Sequence, residues 1–210
     1  MLELKNISVS YGKFVAVKNV NACFDPGSLS LISGHHGAGK SSLLRAIIGL
    51  TKSLGDVKLE SISYRNRTPN KMMKAGMALV PEGRSIFPKL TVKENLKFGL
   101  IVGQNITEIT NDDLFFPQIE NLLDKKAFTL SGGQAQMLSI LIGLMTKPKY
   151  LLLDQPFAGL SSEPAALLSG KIQQLAHRSD MTIIIAGEKN YLPLSCISQE
   201  IELINGETRK

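Results

Sequence analysis

The sequence predicts an α/β fold built on a parallel sheet, and three stretches of the chain carry that prediction. An apolar strand, Leu29–Ile32, leads through a glycine-rich turn into a helical pattern over residues 42–49. Two more continuous apolar runs, Tyr150–Asp154 and Thr182–Ala186, have the length and composition of strands buried on both faces. A helical pattern over residues 163–178 separates them. Strands that alternate with helices in this way favour a parallel sheet.

Shorter strands are predicted elsewhere in the first part of the chain. Leu2–Leu4 and Ile7–Val9 alternate apolar and polar side chains, and residues 58–64 do so again. Such alternation is typical of strands with one buried face. Met77–Val80 is a further apolar strand, and it stops at Pro81 because proline has no N–H to donate to a sheet ladder.

The middle of the chain predicts a helical segment inserted into this core. From about residue 93 to residue 124 the pattern is helical and more polar, with breaks at Gly99, Gly103 and Pro117. A regular helical pattern follows over residues 134–145. The chain closes on a hairpin-like pattern at residues 200–207, and no internal repeat, low-complexity tract or long linker divides it.

Composition excludes several classes of protein. The chain has 210 residues, 43% hydrophobic and 20% charged, which fits one large globular domain. Its longest nearly apolar run is too short to cross a bilayer, and its first residues lack the pattern of a signal peptide, so a cytoplasmic location is expected. Cys23 and Cys196 lie far apart and predict no metal or redox site. The net charge of +6 comes from scattered lysines and arginines; no nucleic acid is expected, although a basic patch is the open alternative.

The turn after the first apolar strand matches G-x-x-x-x-G-K-[ST], the pattern of a phosphate-binding loop. Its glycines let successive N–H groups turn inward around an anion, and the helix behind them adds partial positive charge. Lys40 would neutralise the β- and γ-phosphates, and the Ser41 hydroxyl would ligate Mg²⁺. The alternative is an ordinary glycine-rich turn, but the strand and helix on either side favour a nucleoside triphosphate. The residues expected to bind it are Gly34, His35, His36, Gly37, Ala38, Gly39, Lys40, Ser41 and Ser42.

Two further motifs point to the same chemistry. Asp154 ends an apolar strand, where a carboxylate is placed to hold Mg²⁺; the alternative is an aspartate that caps a helix. Ser131, Gly132, Gly133 and Gln134 open a helical pattern. By itself this is a plain helix-entry turn, but its backbone donors at a helix start also suit an anion.

Taken in chain order, residues 34–41, then Leu130–Gln134, then Leu151–Asp154, these motifs resemble the ATP-binding-cassette (ABC) family. Within it the chain is most similar to the ATP-binding subunits of branched-chain amino-acid importers, through residues 80–96 and through Gln136–Leu138. The resemblance implies an α/β fold with a P-loop NTPase core of ABC type, an N-terminal antiparallel β sub-domain and an inserted α-helical sub-domain at about residues 90–140. The whole chain, 1–210, would form one nucleotide-binding domain.

The resemblance also implies cofactors, partners and site residues. ATP and Mg²⁺ would bind the phosphate loop, with Tyr11 stacked on the adenine. Residues 131–134 would cover the ATP of a second subunit in a head-to-tail homodimer or heterodimer. Glu82 falls where the family usually has a glutamine that contacts the metal and links the catalytic site to the membrane partner. Glutamate is common there in the branched-chain subgroup, so this departure is mild. Transmembrane transporter subunits are the expected partners, which would hold the chain peripherally on the inner face of the cell membrane. Family members that act in DNA repair or translation usually have large insertions or two cassettes, which this chain lacks.

The chain departs from the family pattern at two catalytic positions. Gln155 stands where the family has the glutamate that polarises the attacking water, and an amide is no useful base at neutral pH. Lys189 aligns with the histidine that contacts the γ-phosphate; it either supplies a positive charge or is a surface lysine in a loop. We therefore expect slow hydrolysis. Gln155 would be either an engineered trap or a sign of natural degeneracy, and a non-hydrolysing regulatory subunit paired with a competent partner is the alternative function.

Overall fold

The computed structural model describes residues 1–83, 85–100, 119–178 and 180–209. Its strands, in chain order, are β1 Leu2–Tyr11, β2 Phe14–Phe24, β3 Leu29–Ser33, β4 Leu54–Leu59, β5 Ile62–Ser63, β6 Met77–Val80, β7 Tyr150–Asp154, β8 Thr182–Ala186, β9 Gln199–Ile204 and β10 Glu207–Thr208. Its α-helices within these residues are α1 Lys40–Ile47, α2 Pro69–Lys74, α3 Val92–Leu96, α4 Gly132–Met145 and α5 Ser162–Arg178.

An antiparallel sheet in the order β2-β1-β4-β5 forms the N-terminal part of the molecule. The alternating apolar residues of β1, among them Leu2, Leu4, Ile7 and Val9, are all fully buried. They pack on the same hydrophobic cluster as the side chains of helix α1. The predicted N-terminal antiparallel sub-domain is confirmed.

The expectation of one alternating strand over residues 58–64 was wrong. Strand β4 ends at Leu59, and Glu60 and Ser61 turn the chain back with φ of +49° and +73°. Two consecutive residues in the left-handed region are typical of a tight hairpin turn. Both turn residues are polar and exposed, and these two consecutive polar residues interrupt the alternation at the point where the chain turns.

The second sheet has six strands in the order β10-β9-β3-β8-β7-β6 and is parallel except for β10. Every residue of β3, β7 and β8 is buried, as the continuous apolar runs predicted. Successive side chains point to opposite faces. Leu151 and Leu153 therefore join the cluster with α4 and α5, whereas Leu152 joins the cluster with α1 and the antiparallel sheet.

The helical segment in the middle is only partly as predicted. Helix α3 is short and continues as a 3₁₀ turn over Lys97–Gly99, and a second 3₁₀ turn covers Glu120–Leu122. The break predicted at Gly99 coincides with the end of this 3₁₀ turn. Gly99 also packs closely on α4, since a Cβ there would lie 2.6 Å from the carbonyl oxygen of Ile142. The predicted breaks at Gly103 and Pro117 fall outside the described residues. The sub-domain limits of about 90 and 140 stay a prediction.

Among the described residues no helix is both long and apolar enough to cross a membrane. Helix α4 is the expected helix over residues 134–145, extended by two residues at its start. The terminal hairpin is formed by β9 and β10, as the sequence predicted.

Candidate functional site

The phosphate loop lies between the end of β3 and the start of α1, at the carboxyl edge of the parallel sheet. Gly34, Gly37 and Gly39 have φ of +142°, +80° and +102°, backbone conformations that favour glycine. Two of them also allow a close backbone approach. A Cβ at Gly34 or at Gly39 would lie 2.3 Å from the carbonyl oxygen of Leu203 or Ala16, respectively. The fold thus requires glycine at these two positions, independently of any ligand.

Lys40 is held inside this loop. Its side chain is buried, and its ammonium donates to the carbonyl oxygens of Gly34 at 2.7 Å and His35 at 2.9 Å. Burial lowers the pKa of Lys40, and the nearby carboxylates of Asp154, Glu188 and Glu82 oppose that shift. The loop therefore holds a partly desolvated positive charge at the start of helix α1, an arrangement suited to phosphate.

The structure brings Ser41 and Asp154 together, although they lie on opposite sides of β8. The Ser41 hydroxyl donates to Oδ1 of Asp154 at 2.8 Å. Asp154 is 1% exposed, and its Oδ2 atom is buried without a hydrogen-bond partner among the described residues. Burial raises the pKa of Asp154, and the Ser41 hydrogen bond opposes the rise. A buried carboxylate oxygen with no donor is costly unless a cation or a donor completes it.

Gln155 and Glu82 meet beside this pair. The Gln155 side-chain amide donates to Oε2 of Glu82 at 3.1 Å. Gln155 itself has φ of +47°, in the left-handed region, and its backbone N–H donates to the Ala186 carbonyl at 2.7 Å. Such a conformation costs of order 1–3 kcal/mol in a residue other than glycine and is typical of functional sites.

Tyr11 and the two loop histidines border the site. The Tyr11 hydroxyl donates to Oγ of Ser42 at 3.3 Å, which ties the first hairpin to the start of α1. The ring of Tyr11 is 46% exposed and so is open to a planar ligand. His35 and His36 are exposed, and Nδ1 of His35 lies 2.7 Å from the His36 carbonyl oxygen.

Ser131 to Gln134 form the start of α4 and are satisfied within it. The Ser131 hydroxyl accepts from the Gln134 N–H at 3.3 Å, and Oε1 of Gln134 accepts from the Ser131 N–H at 2.9 Å. This is a capping box. A Cβ at Gly133 would lie 2.7 Å from Cβ of Pro164, so the turn packs closely on α5. The contact of this turn with a second subunit's ATP stays a prediction.

Lys189 lies away from the cleft that contains Gln155. Its ammonium pairs with Oε1 of Glu200 at 2.7 Å, and the Ser33 hydroxyl donates to the same carboxylate. Glu188 is the charged residue of the cleft lining. The other lining residues are Gln155, Phe157, Ala158, Gly159, Gly187 and Tyr191. Asp154 pairs with Ala186 in the register of β7 and β8. The residues that follow Ala186 therefore lie beside Gln155, which follows Asp154. Because β8 was already predicted to end at Ala186, counting from the strand end would have indicated Glu188.

A comparison with protein families matches residues 17–158 to the ABC transporter family. The chain belongs to the ABC transporter family. It is similar to the high-affinity branched-chain amino acid transport ATP-binding protein BraG of Pseudomonas aeruginosa, at 32% identity over 98% of this chain and 90% of BraG. It is also similar to the probable sulfate/thiosulfate import ATP-binding protein CysA of Chlorella vulgaris, at 35% identity over 97% of this chain and 87% of that protein.

Solved structures of ABC cassettes have the same fold. A nucleotide-free ATP-binding cassette from an ABC transporter has a TM-score of 0.85 and 27% identity, with 100% of this chain and 90% of that chain covered. A dimeric bacterial ABC transporter cassette has a TM-score of 0.84 and 25% identity, covering 100% of this chain and 97% of that one. The chain is therefore an ATP-binding cassette with the P-loop NTPase fold, as the resemblance implied.

Proposed function

We propose that this cassette binds Mg-ATP at the phosphate loop and uses it to drive solute import through separate transmembrane subunits. The observation that carries the proposal is the Ser41–Asp154 pair beside Lys40. Together, Ser41, Asp154 and Lys40 place a hydroxyl, a carboxylate and a buried ammonium at one edge of the sheet. An NTP phosphate chain needs these three groups, and the exposed Tyr11 ring gives the adenine a surface for stacking.

The Mg²⁺ site would be shared between protein and nucleotide. Within the described residues there is no cluster of three or more histidine, cysteine or acidic side chains that could hold a metal alone. Mg²⁺ typically takes one or two protein oxygens and completes its shell with phosphates and water. The Ser41 hydroxyl and the unbonded Oδ2 of Asp154 fit that requirement. Bound Mg²⁺ supplies charge neutralisation for the phosphates.

Hydrolysis by this chain is slow. Gln155 occupies the place that follows Asp154, and its amide cannot take a proton from water. Glu188, with Glu82, adds negative charge near Lys40, which weakens the attraction of the site for the γ-phosphate. ATP therefore persists in the closed state longer than in a cassette with a carboxylate at position 155.

The cassette works as half of a head-to-tail pair docked on the inner face of a membrane. The N–H groups at the start of α4 cover the γ-phosphate bound to the partner, so each ATP lies between two subunits. Import is the direction favoured by the similar proteins named above, of which CysA is an import protein by name. The transported solute is selected by other subunits.

Steady-state phosphate release from the unchanged chain and from Gln155→Glu tests this function. We expect very slow release from the unchanged chain and a rise of about 10²-fold or more in the variant, because general-base help is worth about 10²–10⁴-fold. Fast release from the unchanged chain would contradict the role given to position 155. Equal Mg-ATP affinity of the two proteins is the control for an intact binding site.

A second candidate is a regulatory cassette that binds ATP without turning it over and is paired with a competent partner. The position of Glu188 in the Gln155 cleft favours it, since two features of the site then oppose hydrolysis. If Gln155→Glu binds Mg-ATP normally and still releases no phosphate, this candidate replaces the first.

A further inference from the structure

A single carboxylate joins the loop after β8 to the root of the phosphate loop. Oε1 of Glu200 accepts a hydrogen bond from the Ser33 hydroxyl and pairs at 2.7 Å with the Lys189 ammonium. Ser33 is the last residue of β3 and directly precedes Gly34, whereas Lys189 begins the 3₁₀ turn that follows β8. Strand β9, which carries Glu200, is the other neighbour of β3 in the sheet. The three side chains therefore bridge segments that belong to three adjacent strands.

This ion pair is held more firmly than a usual surface pair. Exposed pairs are weak partly because two long side chains must be ordered for one contact. Here the Ser33 hydroxyl, which belongs to a residue only 2% exposed, already orients the Glu200 carboxylate, so only Lys189 has to be fixed. The hydrogen bond to Glu200 also raises the pKa of Lys189, so the ammonium is charged at neutral pH. The half-exposed lysine side chain is thus directed to Glu200.

Glu188, the residue before Lys189, lines the cleft that contains Gln155 instead. This cleft lies next to the phosphate loop, because the N–H of Gly187 donates at 3.0 Å to the carbonyl oxygen of Ile32, near the end of β3. With Lys189 paired elsewhere, the cleft receives the negative member of two adjacent charged residues. Lysine has a long and flexible stem, so its ammonium could reach the same cleft once it is released.

We propose that Glu200 is a positioning residue that sets the nucleotide preference of this cassette, because it restrains Lys189 from the last phosphate of ATP. The inference rests on the proposed Mg-ATP binding. A nucleotide whose adenine stacks on Tyr11 and whose phosphates follow the loop extends its last phosphate toward the Gln155 cleft. In the restrained state that phosphate meets the carboxylate of Glu188 and no ammonium from this loop. Because ADP lacks that phosphate, the restraint weakens ATP binding and leaves ADP binding unchanged.

Equilibrium titrations of the full chain with Mg-ATP and with Mg-ADP, at low protein concentration, measure this preference. Glu200→Gln removes the charge that holds Lys189 but keeps an oxygen that can accept from Ser33. We expect Mg-ATP to bind about fivefold more tightly, which is the upper end of what an exposed ion pair can withhold. Mg-ADP affinity should not change. A purely structural role of the ion pair would alter both affinities together, and so would leave their ratio as it was.

Glu202→Gln is the matched control. Glu202 lies two residues further along β9, on the same face of the sheet, and pairs with Arg209 at 3.0 Å. This variant removes the same charge without releasing Lys189, so the ratio of ATP affinity to ADP affinity should stay the same.

Lys189→Gln supplies the second comparison. It should cost much more ATP affinity in the Glu200→Gln background than in the unchanged chain, because only in that background is the ammonium free to meet the phosphate. The difference between the two losses is the coupling of Glu200 to Lys189.

Binding and restraint fail separately in this design. No measurable Mg-ATP binding by the unchanged chain or by Glu200→Gln would overturn the proposed function. Normal binding with a ratio that Glu200→Gln leaves unchanged would overturn only the restraint. An equal rise of the ratio in Glu202→Gln would overturn it too, because simple charge loss would then explain the effect. The same holds for a Lys189→Gln loss that is equal in both backgrounds.

Discussion

Burial of the ionised Asp154 carboxylate destabilises the native state of this protein. The carboxylate is buried, only one of its oxygens has a donor among the described residues, and burial raises its pKa. Relative to the unfolded chain, the ionised form is therefore disfavoured in the native state. The penalty is present above the native-state pKa and is relieved as the pH falls through that value.

Asp154→Asn should separate stability from binding. The neutral amide escapes the desolvation penalty, so we expect the free energy of unfolding at neutral pH to rise by about 1 kcal/mol. That gain should shrink in acid, where the carboxyl group of the unchanged chain is protonated as well. Mg²⁺-dependent ATP affinity should fall at least about tenfold, because a charged ligand is lost.

Urea unfolding at neutral and acid pH, together with ATP titration with and without Mg²⁺, measures both effects. Asp124→Asn, at an exposed position, is the control and should change neither quantity. An Asp154→Asn protein that is less stable at neutral pH would show that the carboxylate stabilises the native state.

For individual residues, the sequence predicted the candidate site where the residues of a motif are contiguous in the chain. Residues 34–41 form one continuous turn whose spacing fixes their geometry, and Asp154 was identified by the strand that it ends. The contact of Gln155 with Glu82 depends on the pairing of two strands that are distant in the chain, which no local pattern reports. The family resemblance pointed to Lys189, whereas Glu188, one residue earlier in the chain, lines the cleft.

Arg67 connects helix α1, whose start carries the phosphate loop, to Ser53 and to strand β4. Its side chain is buried between α1 and the β4–β5 hairpin. The guanidinium donates to the carbonyl oxygen of Ala46 at 2.6 Å, to Oγ of Ser53 at 2.5 Å and to the Gly55 carbonyl at 3.4 Å. Burial lowers the pKa of Arg67, opposed by the nearby charge of Asp56. A positive charge at the C-terminal end of α1 also suits the helix dipole.

Arg67→Leu should destabilise the molecule while leaving the ligand groups in place. Loss of charge-assisted hydrogen bonds in a buried site should lower the free energy of unfolding by about 1–3 kcal/mol. Arg65→Leu is the matched control, because Arg65 is largely exposed and lies 3.9 Å from the Asp56 carboxylate. Its effect should stay within about 0.5 kcal/mol in the same urea titration. Equal losses for the two variants would refute the connecting role of Arg67.

The elements themselves were predicted unevenly for a physical reason. Strands β3, β7 and β8 are buried on both faces, so their apolar runs are unmistakable. The turn at Glu60 and Ser61 needs left-handed backbone but uses neither glycine nor asparagine, so no turn signal marks it. Arg67 lies in a polar stretch, and only the tertiary structure distinguishes it from Arg65.

At the scale of the whole molecule, the start of α4 is the surface that we propose meets a second cassette. The helix is already capped there. Ser131 and Gln134 satisfy each other within one cassette, so a partner's phosphate would add contacts to the free N–H groups of an existing structure. Without nucleotide the two cassettes lack the bridging anion. The free chain should therefore be mostly monomeric at moderate concentration.

Two substitutions of equal size at Ser131 test the pairing. Aspartate and asparagine both cap helices about as well as serine, so neither should unfold α4. Ser131→Asp places a negative charge against the partner's γ-phosphate and should abolish the ATP-dependent dimer, whereas Ser131→Asn should retain most of it. Light scattering with and without Mg-ATP gives the mass. A dimer that forms equally well without nucleotide, or that tolerates aspartate, would contradict the pairing.

The strand order has a consequence for how the protein is made. Strand β8 lies between β3 and β7, so the phosphate loop and Asp154 are brought into register by a strand that comes late in the chain. While the ribosome is still adding the residues before Thr182, both halves of the site exist but the sheet between them has a gap. We therefore expect nascent cassettes to capture nucleotide only after β8 has been made and has joined the sheet, and until then the apolar edges of β3 and β7 are open to wrong partners.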